Sequence, residues 1–438
     1  MKVVKIEVRD DEDWDFAGED TQYLTHGMHP YPAKMIPQIA RRLLDRYAHP
    51  KDIVLDPFCG SGGVLVEARL AHMSSVGIDI NPLACLLARV KSTPFDPRSL
   101  KDHWKTLKRR IDDSIRRFKF REMKDEVRVP DLSGTNIEYW FKPHAIKELA
   151  IIRDKMEETL SRERAMYDFF AVCFSSTVRE VSGTRKGEYK LYRMPISKWR
   201  KYRPDVLPIF TKQVNESIRR MEQFYGKSAK SVFSKVFMAD TRNIFSEDSP
   251  QEARELLLEK PPKIIVTSPP YGDSSTTVAY GQFSRYSSLW LGFERDVVMN
   301  VDRVGLGGER LRLESAYNIG SSVLSQTLEL IEEKDKSRAE EVAAFFFDLY
   351  LCLENMHRAL DEKGYCCIVI ANRTVRRVQV PTHAIIAEMG IDIGFENDIL
   401  VYPRRIPSKR LPWRNAPENI PGLKGRTMSK ENIIVLKR

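Results

Sequence analysis

Short apolar runs alternate with longer amphipathic segments along this chain of 438 residues. The runs are rich in Val and Ile and mostly end next to Asp or Pro, which is typical of strands buried inside a sheet. Their alternation with helical segments predicts an α/β fold, in which a largely parallel sheet carries helices on both faces. We interpret these runs as strands: Asp52–Asp56, Ser75–Asp79, Val236–Ala239, Lys263–Val266, Tyr365–Ala371, Asp398–Tyr402 and Asn432–Leu436.

Helical spacing of apolar residues predicts at least two helices and a helical insert. Residues 35–47 place six apolar or aromatic side chains on one face, and Ala344–Leu360 predicts a second helix. The last two strand runs are expected to form an antiparallel end of the sheet. Residues 100–235 are expected to form a largely helical insert between two parts of the sheet. The chain is therefore expected to divide into residues 1–99, 100–235 and 236–438.

A glycine-rich turn follows the strand that ends at Asp56. Residues 57–63 read Pro-Phe-Cys-Gly-Ser-Gly-Gly, so the backbone can approach a ligand closely at the carboxyl end of that strand. The next strand ends at Asp79, 23 positions after Asp56, where an α/β nucleotide site places a carboxylate for ribose hydroxyls. The dinucleotide fingerprint fails because Leu65 stands where it needs a third glycine. An acidic residue beside the turn repels phosphate and favours a cationic ligand with a free amino group.

The segment Thr-Ser-Pro-Pro-Tyr-Gly at residues 267–272 carries the most distinctive chemistry. It follows the strand Lys263–Val266, and its two prolines stop that strand. Since proline has no backbone N–H, the turn presents carbonyl oxygens as acceptors beside the Ser268 hydroxyl and the Tyr271 ring. This arrangement predicts a socket for a flat molecule that carries an exocyclic amino group.

Together these motifs resemble those of S-adenosylmethionine-dependent amino-group DNA methyltransferases. They are Asp-Pro-Phe-Cys-Gly-Ser-Gly at 56–62, Gly-Ile-Asp-Ile-Asn-Pro at 77–82 and Ser-Pro-Pro-Tyr at 268–271. Serine, rather than aspartate or asparagine, before Pro-Pro-Tyr resembles the cytosine-N4 branch of that family. His-Gly-Met-His-Pro-Tyr-Pro-Ala-Lys at 26–34 is similar to the segment that precedes the first motif in many such enzymes.

The resemblance covers roughly residues 23–95 and 235–438. It implies a Rossmann-like methyltransferase sheet whose two halves make up the catalytic domain. The insert between them is expected to recognise the DNA target, and residues 290–340 are the alternative candidate for that role. The three parts are thus residues 1–99 with the cofactor motifs, residues 100–235 as the basic target-recognition insert, and residues 236–438 with the Ser-Pro-Pro-Tyr motif.

The resemblance also implies a site for S-adenosylmethionine at the strand ends. Asp56 or the adjoining backbone is expected to bind the methionine amino group, Asp79 the ribose hydroxyls and Asp240 the adenine amino group. Asp79 and Asp240 have an alternative role as caps of the helices that follow them. His29 and Tyr31, with Lys34, are expected to close over the cofactor, although a structural turn explains that segment about as well. The predicted cofactor-binding residues are Asp56, Phe58, Gly60, Gly62, Asp79, Ile80, Asp240, His29 and Tyr31.

The target amine of cytosine or adenine is a poor nucleophile because its lone pair is delocalised into the ring. An enzyme helps by accepting both N–H bonds, so that the nitrogen lone pair can face the sulfonium methyl. The Ser268 hydroxyl and the Pro269 carbonyl are the candidate acceptors, Tyr271 is expected to stack on the flipped base, and Pro270 completes the catalytic set. The chain has no Pro-Cys dipeptide of the kind that cytosine-C5 enzymes use, which argues against carbon methylation.

Positive charge is concentrated in the insert. Residues 101–235 hold 32 Lys and Arg against 19 Asp and Glu, in a chain whose formal net charge is +10. Within it, residues 184–204 combine eight basic residues and four aromatic residues with one acid, a composition suited to phosphates and bases. The alternative is a solvated basic face whose rings pack inside the insert. With a second basic segment near the C-terminus, the predicted DNA-binding residues are Arg185, Lys186, Lys190, Arg193, Lys198, Arg200, Lys201, Arg203, Arg404, Arg405 and Arg410.

Composition argues against a membrane protein, a zinc protein and a disulfide-bonded protein. The chain has no secretory signal and no apolar run long enough to span a bilayer, so we expect a soluble cytoplasmic protein without membrane contact. Its six cysteines show no metal-type clustering, and we expect reduced thiols, no zinc and no disulfides. Cys366 and Cys367 are expected to be small core residues of a strand.

Three functions remain open from the sequence. The first is a site-specific DNA cytosine-N4 methyltransferase that acts on a flipped-out base of double-stranded DNA, as the modification partner of a restriction endonuclease. The second is an enzyme of the same fold that methylates adenine N6, or an amino group in RNA. The third is a non-enzymatic DNA-binding protein that retains a decayed cofactor fold. We adopt the first as the prediction because serine stands at position 268.

Overall fold

The computed structural model describes residues 5–119, 129–130, 132, 135–273, 277–309, 311, 313–316, 319–406 and 429–438 of the chain. The strands in these residues are β1 Lys5–Val8, β2 Ile53–Asp56, β3 Ser74–Asp79, β4 Ser234–Met238, β5 Ile264–Thr267, β6 Tyr365–Ile370, β7 Arg373–Val375, β8 Val378–Val380, β9 Asp398–Arg405 and β10 Lys430–Lys437. The helices are α1 Pro37–Tyr47, α2 Gly63–Leu70, α3 Pro82–Ser92, α4 Pro97–Lys119, α5 Ile137–Trp140, α6 Pro143–Leu160, α7 Arg164–Val181, α8 Ile196–Lys201, α9 Val206–Lys227, α10 Gln251–Glu259, α11 Tyr280–Trp290, α12 Arg295–Val304, α13 Leu313–Ala316, α14 Ser322–Glu332, α15 Lys336–Ala359 and α16 Thr382–Ile393.

The main sheet of the described chain has eight strands in the order β1-β9-β10-β6-β5-β2-β3-β4. All neighbours from β6 to β4 are parallel, whereas β10 is antiparallel to both β6 and β9. The α/β class and the antiparallel end are therefore confirmed. β1 lies parallel to β9 and is not predicted by the sequence pattern, because its four residues include two charged ones.

Helices cover both faces of this sheet, as predicted. Val54 and Val266 pack with apolar residues of α1 and α2 on one face. Their sequence neighbours Leu55 and Ile265 pack with α10, α14, α15 and α16 on the other face. Because side chains of a strand alternate between faces, these buried central strands have apolar residues in both directions.

The helices between β3 and β4 share a hydrophobic core with elements outside the predicted insert. Apolar residues of α4, α6, α7 and α9 form one cluster with residues of α3 and α11. Trp290 of α11 is fully buried, with its ring near those of Phe141 and Phe174. The insert is largely helical, as predicted, but it completes its core with a helix that follows the Ser-Pro-Pro-Tyr segment. The domain boundaries at residues 100 and 235 stay a prediction.

All six cysteines are buried free thiols, and Cys366 and Cys367 are fully buried in β6. Burial raises the pKa of the Cys366 thiol to about 12, so it stays protonated at neutral pH. In the described residues we find no helix that combines the length and the apolar composition needed to cross a membrane.

The strand order reverses beside β2. The chain runs outward from β2 to β3 and β4, then returns to the other side of β2 as β5 and continues to β6. Such a reversal leaves a crevice at the carboxyl ends of the two central strands, which is where open α/β sheets bind their ligands. The topology therefore brings the strand-end residues that the sequence singles out to one edge of the sheet.

Candidate active site

A cleft opens at the carboxyl ends of the parallel strands. It encloses about 1430 Å³, part of which is open to solvent. Asp56 ends β2, Asp79 ends β3, Asp240 stands two residues after β4, and Ser268 follows β5 directly. All four line the cleft, and so do five other predicted site residues: Tyr31, Phe58, Gly60, Ile80 and Pro270.

Asp56 is a buried carboxylate that links the two central strands. Its Oδ1 accepts a hydrogen bond of 2.7 Å from the Thr267 hydroxyl of β5 and one of 3.2 Å from the Phe58 backbone N–H. Burial raises the pKa of Asp56 to about 7, although both hydrogen bonds act in the opposite direction. A cationic group in the cleft would favour the ionised carboxylate and gain an ion pair.

Asp79 holds the glycine-rich turn against the end of β3. Its Oδ2 accepts from the Gly60 backbone N–H at 2.9 Å, and its Oδ1 accepts from the Asn81 backbone N–H at 2.8 Å. Burial raises the pKa of Asp79 to about 6. The cap of α3 is Asn81 rather than Asp79, because the Asn81 side chain accepts from the Leu83 N–H. Capping of α3 therefore does not account for the position of Asp79 in the cleft.

Replacing Asp56 with asparagine is expected to stabilise the free protein at high pH. Asparagine resembles the protonated carboxyl, and the folded pKa of about 7 lies above the ordinary value near 4, so the folded wild type binds a proton that the unfolded chain releases. Relative to the variant, the wild type should lose up to about 1.4 kcal/mol per pH unit as pH rises from ~4 to ~7, and no more above that. Urea unfolding of both proteins from about pH 5 to 8 measures this, and a pH-independent difference would contradict it.

Asp240 is engaged in an ion pair at the edge of the cleft. Its carboxylate accepts from the Arg242 guanidinium at 2.6 and 3.0 Å, and Arg242 also contacts Asp348 at 2.9 Å. Asp240 in addition caps the turn that follows it, by accepting from the Arg242 backbone N–H at 2.9 Å. The alternative role as a cap is therefore realised for Asp240, while the residue still lines the cleft.

Of the segment at 26–34, Tyr31 lines the cleft, whereas His29 lies behind it. The Tyr31 hydroxyl accepts from the Asn81 amide at 3.3 Å, and its ring lies 5.7 Å from that of Phe283. His29 is fully buried and is not among the described residues that line the cleft. Burial lowers the pKa of His29 to about 3, so its imidazole is neutral. His29 is thus placed to support the wall rather than to touch a ligand.

Gly62 approaches a helix and not the cleft. It has φ of +81°, and a Cβ on it would lie 2.6 Å from the Ala88 Cα of α3. Gly60 does line the cleft, and its φ is +48°. The two glycines predicted to permit ligand approach therefore differ: Gly60 faces the cleft, and Gly62 allows α2 and α3 to pack closely.

The substitution Gly62→Ala is expected to destabilise the fold by about 2–4 kcal/mol, because it adds a left-handed backbone strain to a backbone clash. The neighbour Gly63 is the matched control. It is helical, and a Cβ on it meets nothing closer than the Met35 carbonyl at 4.0 Å. Gly63→Ala should leave the free energy of unfolding unchanged or slightly higher. Equal effects of the two substitutions in chemical denaturation would contradict the packing argument.

The turn after β5 connects the cleft to the antiparallel end of the sheet. The Ser268 hydroxyl donates to the Tyr271 hydroxyl at 3.3 Å, which in turn donates to Glu431 Oε1 at 2.9 Å. Glu431 Oε2 accepts from the Arg404 guanidinium at 2.6 Å. Pro269 and Tyr271 are not among the described residues that line the cleft. The Tyr271 hydroxyl therefore orients the Ser268 hydroxyl. The role of Glu431 as the acceptor for Tyr271 is not predicted from the sequence.

Arg373, at the start of β7, fixes the far end of this turn. It forms a buried ion pair of 3.2 Å with Asp273, and its guanidinium occupies the space that a Cβ on Gly272 would need. A Cβ at position 272 would therefore displace this guanidinium from its place beside Asp273. Arg373 lies 100 positions after Asp273, and nothing in the spacing of the sequence predicts the contact.

Known proteins resemble this chain over most of its length. The family model "N6_N4_Mtase: DNA methylase" matches residues 8–89. The Type II methyltransferase M.MvaI of Kocuria varians is 35% identical over 443 residues, which cover 96% of this chain and 93% of the relative. The chain belongs to the amino-DNA methyltransferases. A second relative, the Type II methyltransferase M.MjaII of Methanocaldococcus jannaschii, is 25% identical and covers 83% of this chain and 81% of its own length.

A shorter likeness concerns a segment of the methyltransferase only. The tRNA (guanine(10)-N2)-dimethyltransferase of Methanocaldococcus jannaschii is 47% identical over 53 residues, which are 12% of this chain and 15% of that protein.

S-adenosylmethionine is the methyl donor that membership of this family implies, and the cleft fits it. The buried carboxylates of Asp56 and Asp79 suit an ammonium and ribose hydroxyls. The rings of Phe58 and Tyr31 offer apolar surface to a purine, and the Lys91 ammonium reaches the cleft from α3.

The basic segment 184–204 of the methyltransferase lies partly in the protein's own contacts. The Lys186 ammonium donates to the Ser182 carbonyl at 3.2 Å and to two others at the end of α7, and burial lowers the pKa of Lys186 to about 8. The Arg193 guanidinium lies over the rings of Tyr139 and Trp199, at 3.8 and 4.6 Å. The residue surface of Lys186 is nonetheless exposed, and so are the basic residues Arg185, Lys198, Arg200, Lys201 and Arg203.

The first half of this segment adjoins the cleft. A bridge between Thr184 and Arg193 closes a loop, whose Leu191 N–H donates to the Gln282 side chain at 3.2 Å. The ring of Tyr189 lies 6.0 Å from Phe283, next to Tyr31 of the cleft wall. Lys190 is half-buried in the same loop.

The prediction of a DNA contact is corrected for Arg404. Its side chain is only 5% exposed, since it pairs with Glu431 and donates to the Trp14 carbonyl at 3.0 Å. Arg405, one residue later in β9, is exposed, and its backbone N–H donates to Asp15. Arg410 lies outside the described residues.

Proposed function

We propose that this DNA methyltransferase transfers a methyl group to the exocyclic N4 of a cytosine that has left the duplex. We further propose that it is the modification enzyme of a restriction–modification system, with a cognate endonuclease as its partner. The observation that supports an amino group as the target is the hydroxyl at the end of β5, and the choice of cytosine over adenine rests on the resemblance of serine at position 268 to the cytosine-N4 branch. Ser268 lines the cleft, and its hydrogen is donated to Tyr271.

This hydrogen-bond direction makes Ser268 an acceptor toward the cleft. Because Tyr271 donates to Glu431, its oxygen must accept from Ser268, and the serine lone pairs stay available to a ligand. Burial next to Glu431 raises the pKa of Tyr271 well above its usual range, so the phenol keeps the proton that it donates. An amino group that presents two N–H bonds is the matching ligand.

In the proposed reaction, S-adenosylmethionine supplies an electrophilic methyl group on its sulfonium. The Ser268 hydroxyl, which is the acceptor of this turn that lines the cleft, accepts one N–H bond of the target amine, and this helps to turn the nitrogen lone pair toward the methyl group. The amine nitrogen gains the methyl group, the bonding electrons stay on sulfur, and the extra N–H proton leaves to solvent. Alignment of this kind accounts for much of the acceleration in methyl transfer.

Extrusion of the base requires contacts that offset a cost of a few kcal/mol. We propose that the loop 184–193 and the exposed side chains of α8 hold the DNA backbone beside the cleft. The charge of these residues supports this, and so does the link through Tyr189 and Phe283 to the cleft wall.

Neutralising three exposed cations of α8 is expected to weaken DNA binding without changing the affinity for S-adenosylmethionine. For Lys198→Gln, Arg200→Gln and Lys201→Gln combined, the slope of log affinity against log salt should fall by about 0.9 for each phosphate that the variant no longer neutralises. Three exposed cations of α4, namely Lys105, Arg109 and Arg117, give a control of equal charge. Equal losses of affinity in both triple variants would show that net charge, and not α8, is responsible.

Methylation of plasmid DNA followed by nucleoside mass spectrometry tests the proposed function. N4-methylcytosine at one sequence context is the expected product. N6-methyladenine would overturn the choice of base, and methylation of RNA in preference to DNA would overturn the choice of substrate. Mapping the modified positions then gives the recognition sequence.

A further inference from the structure

Lys91, in the last turn of α3, is a buried cation that faces the cleft. Its side chain is fully buried, yet it is among the residues that line the cleft. Its Nζ donates to the Ser61 hydroxyl at 3.2 Å. Among the residues that the structure describes, no carboxylate lies within ion-pair distance of Lys91.

Taking an ammonium out of water without a counter-charge is costly, and the surroundings of Lys91 do not offset that cost. Burial holds the pKa of Lys91 well below its usual value, and the positive charge of Lys34 lowers it further. Three titratable groups sense the charge of Lys91 or act on it, and none of them is an acid: Lys34, His26 and His29. Glu67, the acid on this side, already accepts from His26 at 2.7 Å.

We propose that Lys91 binds the α-carboxylate of the methionine part of the methyl donor, with the Ser61 hydroxyl and Lys34 beside it. The inference rests on S-adenosylmethionine being the donor, as in the proposed function. The methionine part carries one ammonium and one carboxylate. Asp56 suits the ammonium, and Lys91 is the buried cation of opposite sign on the same glycine-rich turn, through Ser61.

Lys34 has a supporting role in this site. Its Nζ donates to the His26 backbone carbonyl at 3.2 Å, and burial lowers the pKa of Lys34. Both lysines line the cleft, and a carboxylate between them would relieve the repulsion that each exerts on the other.

Calorimetry with two ligands tests the assignment. The ligands are S-adenosylmethionine and decarboxylated S-adenosylmethionine, which lacks only the α-carboxylate. Wild type is expected to bind the complete ligand about 10- to 100-fold more tightly, the range for a charge-assisted hydrogen bond. In Lys91→Met that preference should disappear, while the affinity for the decarboxylated ligand stays the same. Lys105→Met, on the exposed surface of α4, should keep the wild-type ratio.

A ratio in Lys91→Met that equals the wild-type ratio would overturn the proposal, and so would an equal loss of affinity for both ligands. The folded state is monitored by thermal unfolding without ligand, in which Lys91→Met should be at least as stable as wild type because a buried ammonium is removed. Lys91→Gln repeats the measurement with a side chain that still hydrogen-bonds Ser61. Wild type that binds neither ligand would refute the donor itself, whereas wild type that binds both equally would refute only the role of Lys91.

Discussion

Ser268→Ala is expected to lower the rate of methyl transfer about 100-fold, the effect of losing one positioned hydrogen-bond partner of the reacting group. The affinity for S-adenosylmethionine should change less than about twofold, because Ser268 is proposed to contact the target amine only. The substitution removes the acceptor and leaves β5 and the proline turn intact. Single-turnover methylation of a plasmid measures the rate, and calorimetry measures the affinity.

Two further variants test whether the orientation of the Ser268 hydroxyl matters in addition to its presence. Tyr271→Phe keeps the ring but removes the oxygen that accepts the Ser268 hydrogen. Glu431→Gln replaces the carboxylate that orients Tyr271. Each should reduce the rate less than Ser268→Ala, by about tenfold, and neither should reduce it further when Ser268 is already alanine, because all act through one group. Additive losses in the double variants would show that Tyr271 and Glu431 do not act through Ser268.

The central strands and their polar ends can be predicted from the sequence because each is a local pattern. An apolar run followed by an acid or by two prolines predicts a strand and its end without knowledge of the rest of the fold. The parallel topology then brings Asp56, Asp79 and Ser268 to one edge of the sheet. The bond between Thr267 and Asp56 joins residues 211 positions apart, yet both lie in recognised motifs.

The residues that hold the site in place are not readable in this way. Glu431 reaches Tyr271 from 160 positions away and stands at the start of an apolar strand, where a charged residue is usually a solvated end. Arg404 lies in a basic stretch that predicts DNA contact, but the pairing of β9 with β10 places it opposite Glu431. Only the register of the sheet shows that the charge faces inward.

The burial of Lys91 is likewise not evident from the sequence. A lysine in the last turn of a helix is usually an exposed partner of the helix dipole, so its position in α3 gives no sign of burial. The helix packs with the insert through Leu83 and Leu87. Lys91 instead contacts two segments that precede α3 in the chain, since its carbonyl accepts from the Thr25 hydroxyl at 2.8 Å and its ammonium donates to Ser61. The sequence pattern of the insert likewise does not show that α11 completes its core.

The largest loss of cofactor affinity is expected for Asp79→Ala. Asp79 is proposed to accept the ribose hydroxyls, and it also accepts from the Gly60 and Asn81 backbone N–H groups that shape the turn. The alanine variant therefore loses ligand contacts and leaves two N–H groups without their acceptor, which together should weaken S-adenosylmethionine binding by at least about 100-fold.

Asp79→Asn separates the two effects. The asparagine oxygen can still accept one backbone N–H, so this variant should keep most of the thermal stability that Asp79→Ala loses, yet bind S-adenosylmethionine about tenfold more weakly than wild type because the charged acceptor is gone. Calorimetry and ligand-free thermal unfolding of the three proteins give both quantities. Wild-type affinity in Asp79→Asn would mean that Asp79 only shapes the glycine turn. Loss of affinity without loss of stability would assign the carboxylate to the ligand.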